Sequence, residues 1–154
     1  MYRNVVARYT ADYGDTHPQT LKLISALADH LAYLEKNAES EELFRKVYET
    51  KMQVLGPEEL GTLEAIPPLA GALMKLGKDN DAKKLFQHKL DTATRVLGER
   101  HPATLQSQVE LGFALAKLEY FSDAKRELQD AMNKYVDIFG KLHRETLDLI
   151  NRYG

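Results

Sequence analysis

Apolar residues recur along the chain at steps of three and four. Leu21, Ile24, Leu27, Ala28, Leu31 and Leu34 fall on one face of a helix, as do Leu63, Ile66, Leu69, Ala70, Leu73 and Leu76. Leu105, Leu111, Gly112, Leu115 and Leu118 repeat the series once more. Each of these segments is followed by a second amphipathic stretch. The first carries Leu43, Phe44, Val47, Tyr48, Val54 and Leu55, the next Leu85, Phe86, Leu90, Val96 and Leu97, and the last Ala124, Leu128, Ala131, Met132, Ile138 and Phe139. Short polar links separate the two members of each pair, at Glu35-Lys36-Asn37, Gly77-Lys78-Asp79-Asn80 and Glu119-Tyr120-Phe121-Ser122. Links of that length predict antiparallel helix hairpins. Ser40, Ala82 and Ala124 open the second helices, where two axes must approach closely.

Between the pairs one short phrase returns. Gly14, Gly56, Gly98 and Gly140 open it, and the differences 56 − 14, 98 − 56 and 140 − 98 all equal 42. A fixed period of this size marks an array of stacked supersecondary units, each burying its apolar face against its neighbours. Every glycine follows the last apolar residue of a helix, where a left-handed C′ residue costs glycine least. Pro18 and Pro102 suit the first turn of the next helix, whose amides lack partners in any case. Thr20, Thr62, Thr104 and Thr146 stand near the third helical position and support the turn. A spacing of six heptads also fits a long coiled coil, but the Gly-Pro and His-Pro breaks in the joints rule that out.

The frame divides the single array 1–154 into a half repeat 1–13, full repeats 14–55, 56–97 and 98–139, and a half repeat 140–154. It predicts eight helices, the first over 2–13 and the last over 143–153. A chain that starts and stops within a repeat reads as a piece of a longer array, unless the two orphan helices are its caps. Pro67-Pro68 breaks the pattern in the middle of a first helix. Either that helix starts late, near Pro67, with 60–66 irregular, or it is kinked.

Composition narrows the chemistry. Charged residues make up 29% of the chain and the formal charge is −2, which argues against a nucleic-acid surface or a polybasic membrane anchor. Without cysteine there is no disulfide, thiolate or cysteine zinc chemistry, and a reducing compartment fits. No apolar run approaches the roughly 20 residues of a membrane span. The first residues lack the apolar core and small-residue cleavage site of a secretory signal. The expectation is a soluble, cytoplasmic protein.

Leu69-Ala70, Leu73, Gly77, Ala82 and Phe86 resemble the tetratricopeptide repeat, in the 42-residue form of the kinesin light chains. Leu111-Gly112, Leu115, Ala124 and Leu128 follow the same pattern with Glu119 in the glycine slot. Leu27-Ala28, Leu31, Ser40 and Phe44 do so with Glu35 there, and the joint over 97–105 is similar to the kinesin-light-chain type. The resemblance implies an all-α, right-handed superhelical solenoid of antiparallel helix pairs. It also implies a protein-interaction module or scaffold whose first helices line a concave groove for a peptide or helix of a protein partner.

By frame, the implied groove positions are Lys22, Ser25, Asp29 and Tyr33, then Pro67, Gly71, Met74 and Lys75, then Gln106, Val109, Phe113 and Lys117. Gly71, Met74, Val109 and Phe113 would form an apolar centre rimmed by Lys75 and Lys117. The plainer alternative is a solvated helix surface, with Met74 and Phe113 partly packed between repeats. The family's carboxylate clamp needs Lys and Asn where this chain has Ser25 and Asp29, or Pro67 and Gly71, so it is missing. The Asn-Asn pair of the kinesin-light-chain cargo groove is replaced by Ser25-Ala26, Pro67-Pro68 and Val109-Glu110.

His17, His101 and His143 recur because the joint recurs, one layer apart, whereas metal ligands must converge on one point. His30 and His88 stand singly, and no phosphate loop, nucleophile elbow or His-Glu-x-x-His spacing occurs. Charge runs such as Arg45-Lys46 and Lys83-Lys84 read as a solvated face. The chain is thus expected to be no enzyme, with no catalytic residue, metal or cofactor and no nucleic-acid or membrane partner. Two further readings stay open: a structural array whose repeat ends self-associate, and a non-catalytic regulatory domain of a larger protein.

Overall fold

A computed structural model describes residues 2–140. Every regular element among them is helical: α1 (Tyr2–Tyr13), α2 (Pro18–Tyr33), α3 (Asn37–Leu55), α4 (Leu60–Leu63), α5 (Ile66–Lys75), α6 (Asp79–Leu97), α7 (Pro102–Lys117) and α8 (Phe121–Phe139). The all-α pattern of helix pairs is the expected one. The helix expected over 143–153, with His143 and Thr146, lies outside the described residues. The chain divides into two compact units, Met1–Ala82 and Lys83–Gly154.

In the N-terminal unit α2 packs on α1 and α3, and α3 packs on α4 and α5. Leu21, Ile24, Val47 and Ala65 form one buried cluster, with Val6, Leu43 and Tyr48 against it. In the C-terminal unit α7 packs on α8 around Leu105, Val109, Ala131 and Tyr135, flanked by Phe113, Leu128, Ile138 and Phe139. There the two helices come very close: a Cβ on Gly112 would lie 2.6 Å from Leu128 Cγ. The small residues Ser40, Ala82 and Ala124 are buried, as close helix approach requires.

The links within pairs share one geometry. The amides of Lys36, Lys78 and Tyr120 reach the carbonyls of Leu31, Leu73 and Leu115, all at 2.9 Å, while Glu35, Gly77 and Glu119 bond three residues back. These are Schellman turns, whose central residue is left-handed. Accordingly φ is +69° at Gly77 but also +59° at Glu35 and +64° at Glu119. The joint glycines differ. Gly56 and Gly140 combine φ of 100° and 80° with ψ of 159° and 164°, an extended region that only glycine enters freely. At these two joints the backbone thus takes a shape that a side chain would forbid rather than the expected left-handed helical conformation, and Gly14 and Gly98 share the positive φ, at 87° and 90°.

The Pro67-Pro68 break takes a form between the two expected. A four-residue turn, α4, precedes it, Glu64 and Ala65 interrupt, and α5 restarts at Ile66 with the prolines in its first turn. Amides in the first turn have no intrahelical acceptor, so both prolines sit where their missing N–H loses no bond.

The amphipathic reading overshot at the helix ends. Leu34, Val54, Leu55, Val96 and Leu97 are exposed rather than core residues.

Candidate partner-binding surface

His17 and His101 act as helix N-caps. Each Nδ1 accepts a hydrogen bond from the amide two residues on, Gln19 and Ala103, both at 3.2 Å. Pro18 and Pro102 follow in the first turn. At the corresponding joint Glu59 takes the cap position and makes no side-chain cap bond. The recurring histidines thus hold helix starts. Thr62 Oγ1 donates to Gly56 O at 2.8 Å, closing its joint, and Thr104 Oγ1 donates to Ala93 O at 3.1 Å, tying the next joint to α6.

On the N-terminal unit, α2 and the end of α3 enclose an open hollow of about 400 Å³. Its apolar lining comes from Leu21, Ala26, Val54 and Leu55, and Lys22, Ser25, Asp29 and Lys51 contribute its polar atoms. Lys51 is engaged, donating from Nζ to Gly61 O at 2.9 Å. Three of the residues expected in a groove, Lys22, Ser25 and Asp29, therefore share one depression. Tyr33 stands clear of it at the end of α2, 83% exposed. On α5, Pro67, Gly71 and Met74 are half-buried and Lys75 is exposed.

The C-terminal unit treats its four positions differently. Gln106 and Lys117 are exposed. Val109 is only 5% exposed and belongs to the core, and Phe113 packs against the same cluster. The expected apolar centre thus loses Val109 as surface, because Tyr135, Ile138 and Phe139 on α8 draw that face of α7 inward.

Helical periodicity also concealed a set of polar contacts, most of them half-buried. Lys89, itself buried, donates to Glu110 at 2.5 Å, and Gln106 Nε2 reaches the other carboxylate oxygen of Glu110 at 3.2 Å. Gln108 donates to Glu127 at 3.1 Å and Asp130 at 2.8 Å. The Lys134 ammonium, joined by the Gln108 amide, holds the Asp130 carboxyl below the usual carboxylate range. In the N-terminal unit the buried Glu41 pairs with Arg45, and burial pushes the Tyr48 hydroxyl up. Lys83, half-buried, lies over the exposed Tyr120 ring, 4.3 Å from its centroid.

Residues 69–103 match the model of the tetratricopeptide repeat. That stretch contains Leu69, Ala70, Leu73, Ala82 and Phe86, all buried, and the positive-φ Gly77. The fold is that of tetratricopeptide-like repeats. The putative kinesin light chain of Podosopora anserina with nearly identical TPR-like repeats is similar at 23% identity and a TM-score of 0.81, over 90% of this chain and 65% of that one. A single-residue variant of that protein gives 24% and 0.80, over 88% and 64%. BtubC (BKLC) from P. vanneervenii gives 15% and 0.70, over 97% and 59%. This chain thus spans less than two thirds of the length of those structures. No curated protein sequence matches it.

Among the described residues no helix is long and apolar enough to cross a membrane, and no three His, Asp or Glu residues group as metal ligands. Tetratricopeptide-like folds of this kind generally serve as protein-interaction scaffolds and are typically non-catalytic.

Proposed function

We propose that this chain is a non-catalytic scaffold that binds a peptide-like or helical segment of a protein partner on the exposed surface of its first helices. The observation that carries the reading is the hollow on α2, an apolar depression with charged side chains at its margin. A partner segment held by one or two apolar anchors, with charges selecting its register, suits such a surface. Lys75 on α5 of the same unit is exposed, and Lys117 on α7 gives the other unit an exposed charge of its own.

Selection of displayed random peptides against the immobilised chain tests the reading. Enriched peptides should lose binding when Lys22, Lys75 and Lys117 are reversed to Glu, with helicity unchanged by circular dichroism. Peptides that bind the charge-reversed chain as well as the wild type, or no enrichment at all, would sink it.

A further inference from the structure

The repeat lets the hollow be compared with its own counterpart. Moving 84 positions along the frame, from repeat 14–55 to repeat 98–139, replaces Ser25 by Val109, Asp29 by Phe113, Lys51 by Tyr135 and Leu55 by Phe139. In the later repeat Val109 and Tyr135 are buried in one cluster with Phe113 and Phe139 packed against it, the Tyr135 and Phe139 rings 5.7 Å apart. In the earlier one smaller or polar residues leave about 400 Å³ open. The frame positions that line the hollow are thus ones where the later repeat carries aromatic rings of its own.

The margin is also specific. Lys22 and Asp29 line it, both are exposed, and neither takes part in an ion pair or side-chain hydrogen bond among the described residues. They lie seven residues apart on α2, about 10 Å along the axis at 1.5 Å per residue. In an extended chain alternate side chains share a face, so residues two before and two after a central ring stand about 13 Å apart on its side, within reach of the flexible Lys22 and the Asp29 carboxylate.

We propose that the hollow seats one aromatic side chain of a partner segment, which carries an acidic residue toward Lys22 and a basic residue toward Asp29. The ring supplies the affinity by burial against Leu21, Ala26, Val54 and Leu55. The opposite charges set which flanks are accepted, so uniformly acidic and uniformly basic segments are both disfavoured. This deepens the scaffold reading and rests on it, naming the chemistry of one subsite.

The probe is the capped peptide Gly-Glu-Gly-Phe-Gly-Lys-Gly, titrated into the full chain and followed by amide chemical shifts. Shifts should concentrate on α2 and the last turns of α3. Replacing Phe by Ala in the peptide should weaken binding at least about tenfold, the scale of burying one aromatic side chain. Replacing Lys by a second Glu should weaken it by about two- to fivefold, the scale of an exposed ion pair. Asp29→Phe, which installs the ring found at Phe113, should abolish binding with helicity intact. Lys22→Glu, which does not depend on tolerance of a new ring, should shift preference to a peptide with two Lys flanks.

Wild-type affinity in Asp29→Phe, or no change of flank preference in Lys22→Glu, would overturn the proposal. Selected peptides that map to α5 or α7 while this probe leaves α2 unshifted would overturn the aromatic seat alone. Failure of both the probe and the selection would remove the scaffold reading with it.

Discussion

Repeats 14–55 and 98–139 lay different side chains on the same frame, and the contrast shows which positions the fold needs and which it leaves free. Ile24 is a core residue of the first, 2% exposed. Its counterpart 84 positions on is Gln108, 6% exposed but bonded to two carboxylates. Burial is required at this position, but apolarity is not, provided α8 supplies acceptors. At the counterparts of Glu127 and Asp130 α3 carries Leu43 and Lys46, neither an acceptor, and Lys46 pairs instead with Asp15 at 3.8 Å.

The sharpest way to break the comparison is therefore to exchange the two residues. Ile24→Gln places an unpaired amide against Leu21 and Val47 and gives up the isoleucine packing, a cost of about 2–4 kcal/mol. Gln108→Ile removes a neutral donor from partly solvated carboxylates and should stay within about 1 kcal/mol of wild type. Urea midpoints at constant slope read both values. Equal destabilisation by the two exchanges would show that the repeats do not differ in this way.

Close approach is the next contrast. Ala28 with Phe44 in the first repeat becomes Gly112 with Leu128 in the last. Gly112→Ala would press a methyl group to 2.6 Å from Leu128 Cγ. Overpacking of this kind costs about 1–3 kcal/mol, against a gain of up to about 1 kcal/mol in helix propensity. A net loss is expected, and pairing it with Leu128→Ala should show strong coupling in a double-mutant cycle. Additive single effects would mean that α7 and α8 have room to shift.

These contrasts also show what could be read from the sequence. The helix pairs, the joints and the tight links were legible because period and turn chemistry recur together. The capping role of His17 and His101 was hidden only in its atoms, since the joint already explained the recurrence. Val109 and Phe113 were placed on a surface because the frame gives a residue's face but not the size of what lies opposite. The sign was present in Tyr135, Ile138 and Phe139, too apolar together for a solvated wall. Pro67-Pro68 told where α4 and α5 would part, but not that a turn would form ahead of the break. That turn depends on local bonds such as Glu64 N to Leu60 O, at 2.9 Å. The hollow on α2 has no motif. It emerges only when the small and charged residues of one repeat are laid over the large ones of another.

The left-handed links give a smaller and opposite effect. Gly77 occupies one, whereas Glu35 and Glu119 hold the same conformation with a side chain. A left-handed residue other than glycine costs about 1–2 kcal/mol, and glycine returns roughly half of that through the entropy of the unfolded chain. Glu35→Gly and Glu119→Gly should each stabilise by about 0.5 kcal/mol, the difference between those two terms, and Gly77→Glu should destabilise. Thermal or urea unfolding of the three variants measures the difference. A loss of stability on glycine substitution would show that the glutamates make compensating contacts.

The smallest expected difference concerns acid. Lys134 and Gln108 hold the folded Asp130 carboxyl below its ordinary range, so the folded state releases this proton more readily than the unfolded chain. The resulting stability is present above the ordinary carboxylate range and is lost as pH falls through the lowered value. The carboxylate side chain is 48% exposed, so water and salt screen much of the interaction. Unfolding midpoints measured from about pH 5 downward, where carboxylates begin to titrate, should fall less steeply in Asp130→Asn than in wild type. Gln108→Ile should lie between them, because the Lys134 contact survives. An unchanged acid slope in Asp130→Asn would place the acid sensitivity elsewhere and leave Glu127 as the carboxylate partner of Gln108 to be tested next.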